Sequence, residues 1–392
     1  MTLAMSLATA GAAFFAPTAA DAAFPGANGL IVFASSRVGA VRWCHAQHQG
    51  NQLFEVQPGD SDAVQLTCTS GNDLHPFVSP DGSEVVFSNV VRGGPSRLFT
   101  LPLPPGQLSR PTRPTPVSDT SNASDDYPSW SPTGDTIVFQ RTIPGGNAQL
   151  YLENVSNPSS AAPVFPSPTG FNDSEPVFDP SDPDVITFVR AVGHHTHIFS
   201  YDLKSQTLTD LSAQGDGGRT GNDSKPGYAP TGTGRIVFES DRQCSQTQLY
   251  TMTPQGTNQV PVFPPVQRHL HGNWPRCVAA SADPVYSPNG DALAYDGRTK
   301  GGGTELLTVP VNSSGTATGN PAGITNRCAL TEQPNWGPAA DPPAQTPEAG
   351  FPVLFPVLGA GIIVASLGIY RRRRDRLSPT RRDDGTDDRE IS

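Results

Sequence analysis

The sequence predicts an all-β protein, a six-bladed β-propeller followed by one C-terminal transmembrane helix, and three observations lead to this prediction. First, one strand-turn-strand pattern recurs about every 50 residues along most of the chain. Second, the 392 residues include 41 Pro and 39 Gly, a composition typical of many short strands joined by turns. Third, the last copy of the pattern is split between the two ends of the repeat region, as ring closure requires.

Each copy of the pattern has an acidic turn, a proline, a tight turn and then a strand rich in Val and Phe. The five complete copies begin at Asn72, Ser124, Asn172, Asn222 and Ser281. A further strand follows each copy and carries an aliphatic residue next to an aromatic or aliphatic one; these pairs are Leu98-Phe99, Leu150-Tyr151, Ile198-Phe199, Leu249-Tyr250 and Leu306-Leu307. Four strands with their turns fit this period.

The sixth copy indicates how the ring closes. Residues 333–338 predict its first strand, and residues 30–33 and 52–54 predict the next two. One proline anchors each copy; the six anchors are Pro76, Pro128, Pro176, Pro226, Pro284 and Pro334. Six anchors predict six blades, because radial repetition leaves few exposed strand edges.

The Ser-Pro-Asp-Gly turn, with the Val-Val-Phe and Leu-Phe strands that follow it at residues 79–99, resembles the TolB-like, WD-like repeat family. The resemblance covers residues 24–338 and implies a six-bladed propeller. The family includes translocation scaffolds, propellers associated with peptidases and some polysaccharide-degrading enzymes. The resemblance therefore implies the fold and leaves the function open.

The strand order predicts two different edges of the ring. If the anchor strand is innermost, the turns between strands one and two and between strands three and four share one edge. The loops between strands two and three, and the crossings to the next blade, share the other edge, which we call the top.

Charge and termini indicate where the protein works. The net charge of −10 excludes a nucleic-acid binder, which needs a dominant basic face. Residues 1–22 are apolar and end in Ala20-Asp21-Ala22, which predicts a secretory signal peptide and a mature propeller domain at 23–338. A buried N-terminal helix is the alternative.

The C-terminal region predicts a membrane anchor. A Pro-rich linker at 339–350 leads into an apolar stretch at 351–370, long enough to span a bilayer, and four arginines follow it directly. The positive-inside rule places the tail at 371–392 in the cytoplasm and the propeller outside the cell membrane. A buried helix and a cell-wall sorting signal are the alternatives; the latter lacks the Leu and Thr of its motif.

The five cysteines include no Cys-x-x-Cys pair, and export favours disulfides. Cys44 and Cys68 occupy the same two loop positions in the closing blade that Cys244 and Cys277 occupy in the blade of Pro226. Equal topology predicts the bridges Cys44–Cys68 and Cys244–Cys277. Cys328 is left over and competes with Cys68 for Cys44; free thiols are the alternative.

All eight histidines map to the top edge. Those predicted to form a binding surface are His75, His194, His195, His197, His269 and His271. Imidazoles at this edge also suit a transition metal, whereas solvated loop histidines are the structural alternative.

Four repeats carry an aspartate three residues before the anchor proline; these are Asp73, Asp125, Asp173 and Asp223. Because the innermost strand begins here, we predict that these carboxylates approach the channel mouth and bind a cation, with Ca²⁺ as the candidate. The alternative is local turn chemistry, in which each side chain bonds to nearby backbone. No other cofactor is predicted.

These features predict a binding module and not an enzyme. The chain has no G-x-S-x-G elbow, no P-loop and no H-E-x-x-H motif. We expect a membrane-anchored propeller that binds an envelope protein, a peptide or a glycan through its top edge. The main alternative is a metal-assisted polysaccharide lyase or hydrolase that uses top-edge His and Asp residues. A third class is a transmembrane signalling or assembly partner that acts through its tail.

Overall fold

Six antiparallel four-stranded sheets follow one another along the chain in a computed structural model. The structure describes residues 24–37, 50–60, 62–91, 93–103, 113–118, 122–158, 160–166, 169–213, 221–230, 234–243, 246–264, 281–298, 304–325 and 331–340. All of these belong to the first of two structural units, residues 1–344, and the second unit, 345–392, lies outside them.

The first strand of each sheet carries the anchor proline. These strands contact one another from sheet to sheet around the ring, which makes them the innermost strands. They are β4 (Asn72–Val78), β8 (Ser124–Trp130), β12 (Asp173–Asp179), β16 (Asp223–Tyr228), β20 (Ser281–Tyr286) and β24 (Thr331–Pro338).

The second strands are rich in Val, Ile and Phe, residues that suit a buried pleated surface. They are β1 (Asn28–Ser35), β5 (Glu84–Val90), β9 (Thr136–Thr142), β13 (Asp182–Val192), β17 (Ile236–Ser240) and β21 (Ala292–Arg298).

The third strands contain the predicted pairs of an aliphatic residue with an aromatic or aliphatic one. They are β2 (Gln52–Val56), β6 (Ser96–Pro102), β10 (Ala148–Asn154), β14 (His195–Asp202), β18 (Gln248–Met252) and β22 (Thr304–Pro310).

The fourth, outermost strands are short. They are β3 (Val64–Gln65), β7 (Thr115–Pro116), β11 (Ala162–Pro163), β15 (Thr207–Asp210), β19 (Val260–Pro261) and β23 (Ala322–Gly323). Short outer strands, four of which contain or adjoin proline, offer little edge for pairing with another chain.

Ring closure is confirmed. The closing blade has the order β24-β1-β2-β3, so its innermost strand comes from the end of the repeat region and the other three from its start. Ile31 pairs with Trp336 in this sheet, and Phe33 pairs with Phe54. We number the remaining blades 1 to 5 from β4 onward.

The core lies between neighbouring blades. Apolar residues on the two faces of each sheet pack against the adjacent sheets; for example, Val32 and Leu53 of the closing blade join Val85 and Phe87 of blade 1 in one buried cluster. This packing holds the six innermost strands around a central channel.

Candidate functional site

Six side chains surround the top of the central channel, and each belongs to the residue before an anchor proline. All six residues have positive φ values, between 48° and 58°, and all are half-buried; they are His75, Tyr127, Glu175, Lys225, Asp283 and Gln333. We call them the channel ring. Positive φ is uncommon outside glycine, and its recurrence at one register in every blade is a built feature of the fold.

A β-bulge accompanies each ring residue. The register between the first and second strands shifts at this point in every blade, as between Leu74 and Phe77 in blade 1. Bulges redirect side chains and are frequent at functional sites. Here they direct six polar side chains to one place.

Lys225 is the centre of one half of the ring. Its ammonium lies 3.1 Å from Asp283 Oδ1, 3.9 Å from Glu175 Oε1 and 4.4 Å from the centre of the Tyr127 ring. Burial opposes the charged ammonium, but the carboxylates of Asp283 and Glu175 outweigh burial and hold the pKa of Lys225 well above its ordinary value. Lys225 therefore stays charged and fixes its neighbours.

His75 is the centre of the other half. Its ring stacks on Tyr127 at 3.7 Å between centroids, and its Nδ1 lies 2.6 Å from Asp126 Oδ1. The backbone N–H of His75 donates to Gln333 Oε1, so the Gln333 amide NH₂ is the group that faces His75 Nε2 at 2.9 Å. His75 therefore carries its proton on Nδ1, directed at Asp126.

Asp126 is the charged partner in this contact. Although burial favours the neutral acid, hydrogen bonds from His75 and Ser88 hold the pKa of Asp126 below its ordinary value. A paired carboxylate that orients an imidazole is an arrangement used in both binding sites and general acid–base sites.

Side chains from the preceding blade hold several ring residues in place. The backbone N–H of Lys225 donates to Glu175 at 2.7 Å, that of Asp283 to Glu239 at 2.6 Å, and that of Gln333 to Asp296 at 2.9 Å. Because each bond joins two blades, the ring is held by the closed circle of sheets.

Two buried acids, Glu239 and Asp296, lie behind the ring residues Asp283 and Gln333. Burial, and then the nearby Asp283 carboxylate, raises the pKa of Glu239 and of Asp296 above the ordinary range. One Asp296 oxygen, Oδ1, is buried without a hydrogen-bond partner among the described residues. Lys225 is the one cation in the channel ring, where it faces the mostly buried carboxylates of Glu175 and Asp283.

A cavity of about 130 Å³ lies beneath the channel ring. Apolar side chains of the innermost strands, among them Val177 and Tyr228, line it, and Phe24 closes it from the bottom edge. The Gly26 N–H anchors this N-terminal segment by donating to the Pro288 carbonyl, in the first turn of blade 5. Phe24 and this anchored segment therefore form the floor of the cavity.

Trp336 also lines this cavity, and its indole N–H has no acceptor among the described residues although the side chain is buried. Trp130, which occupies the equivalent position in blade 2, donates to the Phe77 carbonyl at 3.1 Å. A buried donor without a partner is unusual in a folded protein. Water or a bound group in the cavity is the expected acceptor.

The predicted histidine surface is not one cluster in the described structure. His75 belongs to the channel ring, whereas His194, His195 and His197 lie at the hairpin between β13 and β14, where His197 bonds to Asp210 at 2.8 Å. His269 and His271 lie outside the described residues. Among the residues that the structure describes, no three His, Cys, Asp or Glu side chains are placed to hold a metal.

The four repeated aspartates occupy a different place from the one predicted. They are buried inside their blades, where three form ion pairs with arginines in or just after the second strand; the pairs are Asp125–Arg141, Asp173–Arg190 and Asp223–Arg242, at 2.6 to 2.7 Å. The reason is strand register, because Asp125 and Asp173 lie directly opposite their arginines. Arginine thus neutralises three of the carboxylates that were predicted to bind Ca²⁺.

Asp73 is the exception, because Asn89 stands opposite it in place of arginine. Burial raises the pKa of Asp73 to about 6, and hydrogen bonds from Thr67, Asn89 and Thr69 offset only part of this effect. The folded state therefore holds this proton more tightly than the unfolded state. The stability it contributes is full at low pH and is lost as the pH rises through about 6.

We therefore expect Asp73→Asn to raise the free energy of unfolding at pH 7 by about 1 to 3 kcal/mol and to change it little at pH 4. Denaturant titration at the two pH values measures this. Asp125→Asn is the matched control and has the opposite sign, because it weakens the pair with Arg141. A loss of stability at pH 7 in both variants would contradict this interpretation of Asp73.

Cys68 forms a disulfide, and the other four cysteines lie outside the described residues. The pairings Cys44–Cys68 and Cys244–Cys277 stay predictions. The signal peptide at 1–22, the apolar stretch at 351–370 and the tail at 371–392 also lie outside the described residues. Among the described residues, no helix is long and apolar enough to cross a membrane.

The sequence matches no protein-family model and no curated protein. Its fold, however, is similar to that of TolB from Acinetobacter baumannii, with a TM-score of 0.57 at 14% identity over 79% of this chain and 66% of that one. A putative TolB from Agrobacterium tumefaciens gives a TM-score of 0.52 at 14% identity, over 80% of this chain and 100% of that one. In fold, this chain is a TolB-like six-bladed β-propeller.

This chain is also similar in fold to part of a chain of Kuenenia stuttgartiensis hydrazine synthase, with a TM-score of 0.56 at 13% identity over 82% of this chain and 48% of that one. The architecture is therefore shared by proteins of different activity, and the fold alone does not separate binding from catalysis.

Proposed function

We propose that this TolB-like propeller is a protein-binding module that works outside the cytoplasm and receives a polar segment of a partner protein or peptide at its channel ring. The observation that carries the proposal is the ring itself. Six polar side chains, different in every blade, are held in a strained backbone conformation at the one place where all blades meet. Strain of this kind is typical of sites that are organised in advance for binding.

The size of the cavity supports a protein partner over a free ligand. About 130 Å³ beneath the ring accommodates one side chain or a chain end, whereas pockets for whole small molecules usually measure about 300 to 1,000 Å³. The unpartnered indole N–H of Trp336 would suit a carbonyl of such an inserted segment.

The charge of the ring supports a partner that donates hydrogen bonds or carries a basic group. Glu175 and Asp283 present two carboxylates whose side chains are 17% and 20% exposed, and Lys225 already engages both. Behind them, the buried acids Glu239 and Asp296 add to the negative potential when ionised. Electrostatic complementarity of this kind increases both association rate and specificity.

The membrane anchor is part of the proposal. The described chain leaves the ring at Ala339 and Ala340, on the bottom edge beside the turn at Gly82. The linker to the apolar stretch is short, so the bottom edge would face the membrane and the channel ring would face outward. An envelope protein is then the natural class of partner; the sequence-based alternative of a glycan would use the same edge.

Glu175→Gln tests the proposal, because the amide can still accept the Lys225 backbone N–H while one charge is lost. We expect capture of the partner from solubilised envelope to weaken about tenfold or more, as for loss of a charge-assisted hydrogen bond. The control is Asp184→Asn, which removes one charge on the bottom edge. Recovery of the same partners in equal amounts by both variants would contradict a binding site at the ring.

A further inference from the structure

A second cavity, of about 430 Å³, lies on the opposite edge of the propeller, between the closing blade and blade 1. It is bounded by the turn between β2 and β3, by Val78 and Leu103 of blade 1, and by the segment where the chain leaves the ring. Its volume is in the range of pockets that hold small molecules. It is separate from the channel ring, whose cavity shares only Val78 with it.

Glu55 is the buried polar group of this cavity. It is only 8% exposed, lies in β2 between Val32 and Val64, and has no hydrogen-bond partner among the described residues. Burial alone raises the pKa of Glu55 to about 7. A carboxyl group that is buried without a partner, at the wall of a cavity, either keeps its proton or takes a cation from that cavity.

The other five blades show which residue types the fold accepts at the position of Glu55. The residues equivalent to Glu55 in the third strands of blades 1 to 5 are Thr100, Leu152, Ser200, Thr251 and Thr308. The fold therefore accepts a small hydroxyl or an apolar residue here. Nothing in blade construction requires a carboxylate, and the closing blade alone carries one.

Two further carboxylates, Asp60 and Asp62, line the same cavity at its exposed side, and apolar side chains, including Val64, lie along the wall. No Lys or Arg is present among the described residues that line it. The three acids are not close enough to hold a metal ion together. The cavity therefore has Glu55 buried at its wall, apolar side chains beside it, and the carboxylates of Asp60 and Asp62 at its exposed side.

We propose that this cavity binds an aliphatic diamine, with one ammonium at Glu55, the methylene chain along the valines, and the second ammonium at Asp60 and Asp62. A diamine satisfies the buried carboxylate and covers the apolar wall, and neither a metal ion nor a single-charge cation does both. This site is independent of the channel ring and of the function proposed for it.

Calorimetric titration of the purified full-length chain with cadaverine at pH 8 tests the proposal. We expect Glu55→Thr, which installs the residue of blades 1, 4 and 5, to weaken binding about 10- to 100-fold, because a buried charge-assisted contact is lost. Asp60→Asn combined with Asp62→Asn removes only exposed charges and should weaken binding about two- to fivefold. Asp184→Asn, on the same edge in blade 3, should change nothing.

Two ligand controls and one pH control complete the test. n-Pentylamine, with one ammonium, should bind more weakly than cadaverine, and 1,5-pentanediol should not bind. Among the described residues, the titratable groups that line the cavity are Glu55, Asp60 and Asp62. Since Glu55 must be ionised, binding at pH 5.5 should be weaker about tenfold or more.

Three outcomes would overturn the proposal: no heat with cadaverine, equal binding of cadaverine and n-pentylamine, or unchanged binding in Glu55→Thr. A large drop in the melting temperature of both Glu55→Thr and Glu55→Gln without amine would also overturn it, since Glu55 would then have a structural partner within the chain.

Discussion

Arg190→Leu is expected to lower the free energy of unfolding by about 3 to 5 kcal/mol, because it leaves the buried carboxylate of Asp173 without its cation. Asp173 is 0% exposed and Arg190 is 5% exposed, and both carboxylate oxygens receive guanidinium N–H groups, at 2.6 and 2.8 Å. Four aromatic rings also lie about 5 Å from the guanidinium, so the variant loses cation–π contacts as well.

Denaturant unfolding of three variants separates the charge effect from packing. Lys204→Ala removes a salt bridge to Asp184 in the same blade, but Lys204 is mostly exposed, and the expected loss is below about 1 kcal/mol. The double change of Arg190→Leu with Asp173→Asn should be less destabilised than Arg190→Leu alone, because no uncompensated charge remains. If Arg190→Leu loses no more stability than Lys204→Ala, the ion pair of Asp173 with Arg190 does not stabilise the blade.

Phe24→Ala is expected to cost about 3 kcal/mol of unfolding free energy, in the range known for large-to-small changes in a core. Phe24 is 2% exposed and belongs to the largest buried cluster, where it packs edge-to-face on Phe77 with 6.2 Å between ring centres. It is also the floor of the channel cavity. Alanine would therefore enlarge the cavity toward the bottom edge and loosen the innermost strands.

Phe24→Leu is the matched control, since it keeps an apolar side chain of nearly the same reach, and it should cost less than half as much in the same denaturant titration. Phe24 also lies next to the predicted signal cleavage site, because cleavage after Ala22 would make it the second residue of the mature chain. Unchanged stability in Phe24→Ala would mean that this N-terminal segment contributes nothing to the ring.

The blade count and ring closure could be predicted because they follow from local chemistry. Each anchor proline marks one innermost strand, and the following turn fixes the hairpin, so six anchors give six blades. The split copy made of residues 333–338, 30–33 and 52–54 gave the closing blade by the same rule. The outermost strands, two residues long in five blades, have too little pattern to predict.

Of the channel ring, only His75 is among the binding residues that the sequence predicts. The position before each anchor proline is polar in all six repeats, but a sequence does not reveal that a bulge with φ near 50° directs these side chains into the channel. The aspartates two residues earlier lie inside their blades for a related reason. Their arginine partners end the second strand, 16 or 17 residues away for Asp125 and Asp173, and only the register brings them together.

The site proposed at Glu55 could not be predicted from the sequence, for a different reason. The sequence places an acid where the sister repeats carry Thr, Ser or Leu, but a single acid in a strand is not by itself a signal. Its meaning comes from burial without a partner beside a cavity, and burial depends on how two blades pack.

Site-specific photo-crosslinking tests the central claim, that a protein partner occupies the channel ring, most directly. A photoreactive phenylalanine at position 127 replaces a ring residue that is already aromatic, and the same group at position 133 is exposed on the bottom edge of the same blade. Irradiation of cells that carry each full-length variant should give a crosslinked protein adduct from position 127 and none from position 133. An adduct from position 133 alone, or none from position 127, would contradict the account.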